Sequence, residues 1–220
     1  MPDNKSKKEL ERRSYNFEIR AEEQDGIGIL TGRPIVYNSK TDLGWFDEII
    51  ELGALDGADL TDVRFLVNHD LSKIPLARSR RNNGNSTMQF SIDQQGMNLE
   101  WVKLDIENNA DARALYSAVQ RGDVSGMSFM FSIDQERWED LESDHPTRHV
   151  EKIGSVVEVS AVTFPAYDST EINARSKEAL DNARQVMEIA REQSADSLDK
   201  EKRTKELELE KLKTEMLLKI

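Results

Sequence analysis

The chain predicts an α+β fold: a β-rich domain that closes, or nearly closes, into a barrel with helices packed outside, followed by a long helical tail. Three observations carry that reading. Apolar and polar residues alternate with period two from Ser14 onward, a single capped helical pattern interrupts them, and no glycine or proline occurs after Pro165.

The elements follow in order. Residues 1–13 are rich in Lys, Arg and Glu and read as a flexible N-terminal arm. Tyr15, Phe17 and Ile19 then alternate with Asn16, Glu18 and Arg20, and further strands are expected at Gly28–Tyr37, Trp45–Ile50 and Val63–Val67. Met88–Ile92 and Met97–Leu104 form a hairpin across Asp93-Gln94-Gln95-Gly96, with glycine where positive φ is cheap. Asn109–Arg121 has the spacing of a helix, with Ala112, Leu115, Ala118 and Val119 in one stripe and Gly122 at its end. Strand character returns at Val124–Ile133 and Ile153–Phe164, separated by an acidic, proline-containing loop from Gln135 to Val150. The boundary of the main domain is set near residue 175, and residues 176–220 form the charged helical tail. Leu180, Ala183, Met187 and Ala190 make a first apolar stripe there, and Leu209, Leu212, Met216 and Ile220 a second. A solvated helix and a partner-binding or self-associating one both fit, because fewer than three clean heptads are visible.

The 220 residues suit one full-sized domain with an appendage. The net charge of −12 lies almost wholly in residues 1–175, with 31 acidic against 20 basic residues, while the tail has 11 against 10. Such a field disfavours nucleic acid, whose phosphates need cations, and suits a basic polypeptide partner. The absence of cysteine excludes a thiol nucleophile, a disulfide framework and a cysteine-built zinc site. Met1–Arg13 lacks the apolar core of a signal peptide and no run is long enough to span a membrane, so an intracellular, soluble protein is expected.

Three positions offer chemistry. His69, one of only three histidines, follows the strand pattern Val63–Val67 and sits between Asn68 and Asp70, where an imidazole can exchange protons with a bound molecule or serve as a turn residue. Ser128 lies in Gly126-Met127-Ser128-Phe129-Met130-Phe131; alternation sends it away from the aromatic face and toward a cleft, with Ser125 as the nearest rival. Glu158 is a lone carboxylate in the apolar run Val156-Val157-Glu158-Val159-Ser160, where it orients an imidazole or pairs with an arginine such as Arg78. His145 and His149 flank Pro146 in an acidic loop, so a shared metal-binding helix face is not expected. Serine, histidine and glutamate together suggest a hydrolase.

Asn68-His69-Asp70, Pro75-Leu76-Ala77-Arg78, Arg121-Gly122-Asp123-Val124-Ser125-Gly126-Met127-Ser128-Phe129 and the run from Glu158 to Tyr167 together resemble the prohead, or capsid-maturation, proteases of tailed bacteriophages across residues 14–175. The resemblance implies a serine endopeptidase with a fold similar to herpesvirus assemblin, a β-barrel ringed by helices, and catalytic roles for His69, Ser128 and Glu158. Its substrates would be the scaffolding protein or the scaffold-like arm of the major capsid protein, and the protease itself, inside the immature capsid in the host cytoplasm. No cofactor or metal, nucleic acid or membrane is called for, and a homo-oligomer is compatible. Backbone N–H groups would hold the oxyanion, with Ala77–Arg78 as a candidate segment. Ala77 stands where the family usually has glycine, and Met130 where Ser-Phe-Gly-Phe is common. The rival reading is a non-enzymatic capsid assembly or scaffolding factor with a helical, partner-binding tail.

Overall fold

The computed structural model describes residues 10–15, 19–163 and 176–193. The chain divides into two compact units, Met1–Ser176 and Lys177–Ile220.

The first unit is built on two sheets. Strands β1 (Leu10–Tyr15), β4 (Lys40–Asp42), β5 (Asp47–Ile50), β6 (Asp62–Val67), β7 (Ala77–Arg80), β10 (Gly126–Glu139) and β11 (Thr147–Val162) form a mixed seven-stranded sheet. Its order is β1-β10-β11-β5-β4, with β6 alongside another stretch of β11 and β7 alongside β6. Strands β2 (Arg20–Gln24), β3 (Ile27–Val36), β8 (Met88–Asp93) and β9 (Gly96–Leu104) form an antiparallel sheet in the order β2-β3-β9-β8. The α+β class holds, but the expected barrel does not close. A barrel has no edges, whereas β1, β4 and β7 border the first sheet and β2 and β8 the second. Among the described residues of this unit, one helix, α1 (Ala110–Gln120), packs against β2, β3 and β9 where an encircling set was expected.

Local chemistry explains the elements that position the rest. Asn109 caps α1 by accepting hydrogen bonds from the N–H groups of Asp111 and Ala112, while Ala112, Leu115, Tyr116 and Val119 turn into the core. Gly96 closes the β8–β9 hairpin at φ 130°, and a Cβ there would collide with the Ile35 carbonyl, so both the angle and the close approach require glycine. Leu30, Ile35, Phe65, Leu99, Met127, Phe129 and Phe131 are fully buried in one continuous core.

Two expectations need correction. Leu10 to Arg13, assigned to the arm, belong to β1, whose residues pair one by one with Ser132 to Met127 of β10. The segment from Gln135 to Val150, expected as a loop, mostly extends β10 and β11: Arg137, Trp138 and Glu139 pair with His149, Arg148 and Thr147. Its charges mislead because they are paired. The buried Arg148 binds Glu11, Glu48 and Glu136 and stacks near the rings of Phe46 and Trp138.

A second helix, α2, runs over residues 176–193, all but the first of them in the second unit. Leu180 is buried and Ala183 and Met187 half-buried, as the first stripe predicts, whereas Ala190 is exposed. The second stripe, Leu209 to Ile220, and the motif residues Phe164 to Tyr167 lie outside the described residues.

Candidate active site

The site is assembled on the adjoining strands β10, β11 and β6. In β11, Glu158 and Ser160 share a face because they are two apart; in β10, Ser128 and Met130 pair with Ser160 and Glu158 respectively. Ser128, Ser160 and Glu158 therefore project to one side, while Phe129 and Phe131 project into the core. On the other flank of β11, β6 runs parallel, with Leu66 beside Ser160 and Val67 beside Ala161. The chain leaves β6 through Asn68 and His69, both left-handed at φ 51° and 58°. That geometry is uncommon for such residues and needs support from its surroundings. Asn68 supplies it: its N–H donates to the Ala161 carbonyl, and its side-chain oxygen accepts from the N–H and hydroxyl of Thr163.

The result is that His69 leans back over β11. Its Nδ1 lies 2.5 Å from Glu158 Oε1, and its backbone N–H donates to the Ser160 hydroxyl at 3.1 Å. Ser160 in turn donates to the other Glu158 oxygen at 2.5 Å. Both carboxylate oxygens are thus engaged, which offsets the cost of burying Glu158 completely. With the carboxylate as acceptor, the bond assigns the imidazole proton to Nδ1 and leaves Nε2 to accept. Arg78, the alternative partner for Glu158, pairs instead with Asp62 at 2.5 and 2.6 Å. Ser160 is the member that sequence reasoning passed over. Its signal was its position two residues after Glu158, on the same strand face.

Ser128 meets its partners differently from expectation. It is fully buried, not open to a cleft, because β1 lies along β10 with Ser14 opposite Ser128. Its hydroxyl donates to the Arg13 carbonyl at 2.7 Å. Ser125 is exposed and precedes the ladder. Ala77 and Arg78 lie in β7, three strand spacings from β10, or about 14 Å along the sheet. The Arg78 N–H donates to Thr87 Oγ1. His149 is held between Glu51 and Glu139, and His145 lies against Asp47. A cavity of about 400 Å³ opens beside the His69 turn, between Leu66, Val67 and Leu76 on one side and Ala114, Leu115 and Ala118 of α1 on the other.

A buried ion network fixes β1. The Arg13 guanidinium, 5% exposed, donates to both oxygens of Glu48 at 2.5 and 2.7 Å and also binds Glu11. Arg148 binds Glu11 and Glu48 from the other side. Burial pushes the Glu11 carboxyl up, but Arg13 and Arg148 more than offset it and hold the group below its ordinary value of 4.5. The hydrogen bond from Arg78 likewise lowers Asp62. A carboxyl depressed in the folded state adds stability above its unfolded pKa and loses it as pH falls through the folded one. The urea midpoint of the first unit is therefore expected to be flat above pH 5 and to drop progressively below about 4.5. A midpoint unchanged down to pH 3 would contradict this account.

A carboxylate bonded to an imidazole, with a serine on the adjoining strand, brings together the residue types that a serine hydrolase uses. The comparison with family models makes the class specific: the model described as caudovirus prohead serine protease matches residues 15–185. The chain belongs to this family and is a serine peptidase of the kind that matures phage capsids. No curated protein and no solved structure matches it. Among the described residues, no helix is long and apolar enough to cross a membrane.

Proposed function

We propose that this peptidase cuts the scaffolding protein, or the scaffold-like arm of the major capsid protein, inside the immature capsid in the host cytoplasm, with Ser128 as nucleophile, His69 as general base and Glu158 as its orienter. The observation that carries the reading is the bond between the Glu158 carboxylate and His69 Nδ1, which turns Nε2 into the acceptor a nucleophilic serine needs. His69 takes the Ser128 proton as the hydroxyl adds to the scissile carbonyl, then returns it to the leaving amine. Backbone N–H groups hold the oxyanion, a contribution of roughly 2.7–4 kcal/mol per donor. The cavity beside the His69 turn takes an apolar side chain of the substrate. The tail, which forms a compact unit of its own, serves as a handle for an assembling partner.

Co-expression with the major capsid and scaffolding proteins tests this. Mass spectrometry is expected to find discrete cuts in one of them, absent with His69→Ala. Intact partners beside the wild-type chain, or the same cuts with the variant, would overturn it.

A further inference from the structure

We propose that Arg64, Arg78 and Arg80 form a carboxylate-binding row beside the catalytic residues, and that the peptides this enzyme takes carry acidic side chains about three or four residues from the cut bond. The inference deepens the protease reading and rests on it.

Strand register puts the row there. Glu158 of β11 has Met130 of β10 as its partner on one side and Arg64 of β6 on the other, and Arg64 lies opposite Arg78 of β7. Two residues back along β6, Asp62 lies opposite Arg80. Partners in a ladder project to the same face, so the arginines share the side of the sheet that carries Glu158, Ser160 and Ser128. The alternate residues Val63, Phe65, Ala77 and Ser79 are buried on the other side, which fixes the direction. Arg64 and Arg78 are therefore partly exposed and Arg80 exposed.

The charge of the row runs against that of its surroundings. Residues 1–175 hold 31 acidic against 20 basic side chains, yet in this row one carboxylate, Asp62, faces three guanidinium groups. Arg78 donates to both Asp62 oxygens at 2.5 and 2.6 Å, and Arg64 reaches one of them at 3.0 Å. The Arg78 hydrogen bond, with the charges of Arg64 and Arg80, holds the Asp62 carboxyl below its ordinary value. Asp59, close enough to feel the Asp62 charge, is engaged by the N–H and hydroxyl of Thr61. Like charges directly opposite on neighbouring strands are destabilising, so Arg64 facing Arg78 is a strain that further carboxylates relieve. A guanidinium presents paired N–H donors that match a carboxylate. Strands β6 and β7 lie two and three spacings from β10, about 10 and 14 Å, which an extended chain covers in three or four residues. A peptide laid on Ser128 thus brings side chains at that separation over the row. A few carboxylates fit there, whereas a continuous phosphate backbone meets the acidic surface around it.

Two measurements on the full chain test the proposal. Steady-state cleavage compares a capsid-derived peptide that carries glutamates at those positions with its glutamine counterpart. Wild type is expected to favour the glutamate peptide by about three- to tenfold in kcat/KM, through KM, and to lose the preference in about 0.5 M NaCl. Arg64→Gln/Arg80→Gln is expected to cut both peptides as wild type cuts the glutamine one, with a urea midpoint equal to or above that of wild type. Arg80→Gln alone, at the exposed end of the row, is expected to lose part of the preference. Fluorescence anisotropy with Ser128→Ala then compares fluorescein-labelled hexaglutamate and hexaglutamine. Hexaglutamate is expected to bind more tightly, although the net charge of −12 predicts the opposite order. Equal kcat/KM for the two peptides, a preference that survives the double substitution, or hexaglutamate that binds no better than hexaglutamine overturns the row and leaves the protease reading intact. Wild type that cuts neither the peptides nor the co-expressed capsid and scaffolding proteins overturns both.

Discussion

Ser128→Ala is expected to lower turnover of a capsid-derived peptide by roughly 10⁴- to 10⁶-fold while the protein stays folded. The size of the effect follows from the step removed. Without the hydroxyl no ester can form, and what remains is the contribution of binding and oxyanion donors to attack by water. The structural cost is small by comparison. The hydroxyl is buried and makes a hydrogen bond to Arg13, so its loss removes about 1 kcal/mol of stability and leaves the core face of β10 untouched. Ser125→Ala, at an exposed position before the strand, is expected to change turnover little. Peptide turnover followed by mass spectrometry decides between them. Turnover retained in Ser128→Ala, or lost in Ser125→Ala, would move the nucleophile three residues upstream.

Glu158→Gln is expected to reduce kcat by roughly 10²- to 10⁴-fold with little change in KM. The amide keeps the size of the carboxylate but removes the charge that stabilises the imidazolium, and it can present a donor where His69 Nδ1–H needs an acceptor. If the amide NH₂ faces His69, the ring takes the other tautomer and Nε2 carries the proton. The base is then pointing a proton at the nucleophile. Ser160 adds a distinguishing control, because it holds the second carboxylate oxygen and the His69 N–H together. Ser160→Thr keeps a hydroxyl and is expected to retain more turnover than Ser160→Ala. An unaltered kcat in Glu158→Gln would make the His69–Glu158 contact a structural ion pair only.

The parts of the molecule that were legible in the sequence are those whose cause is local. The hairpin at Gly96 and the cap at Asn109 are written in a few neighbouring residues, and the strand around Ser128 shows its alternation directly. Glu158 stood out because it breaks an apolar run with an ionisable group, and His69 because it is one of three histidines and closes a strand pattern. Strand β1 was illegible for the opposite reason. Leu10-Glu11-Arg12-Arg13 has the composition of a solvated arm, and what makes it a strand is Glu48, 35 residues from Arg13, and Arg148, 137 from Glu11. The outer ribbon of β10 and β11 was hidden in the same way by charges that find partners only after folding. Barrel closure was overestimated because periodicity reports how many strands there are and not which edges meet.

The parallel pairing of β6 with β11 also sets when His69 and Glu158 can first meet. It brings together groups 89 residues apart in the chain, with two of the four strands of the second sheet and α1 synthesised between them. Pairings of that separation close late, because the loop entropy is lost before any contact rewards it. Glu158 is also the last of the three groups to leave the ribosome. A growing chain therefore carries His69 and Ser128 for some time before the bond between His69 and Glu158 can form, which waits until β11 has docked beside β6.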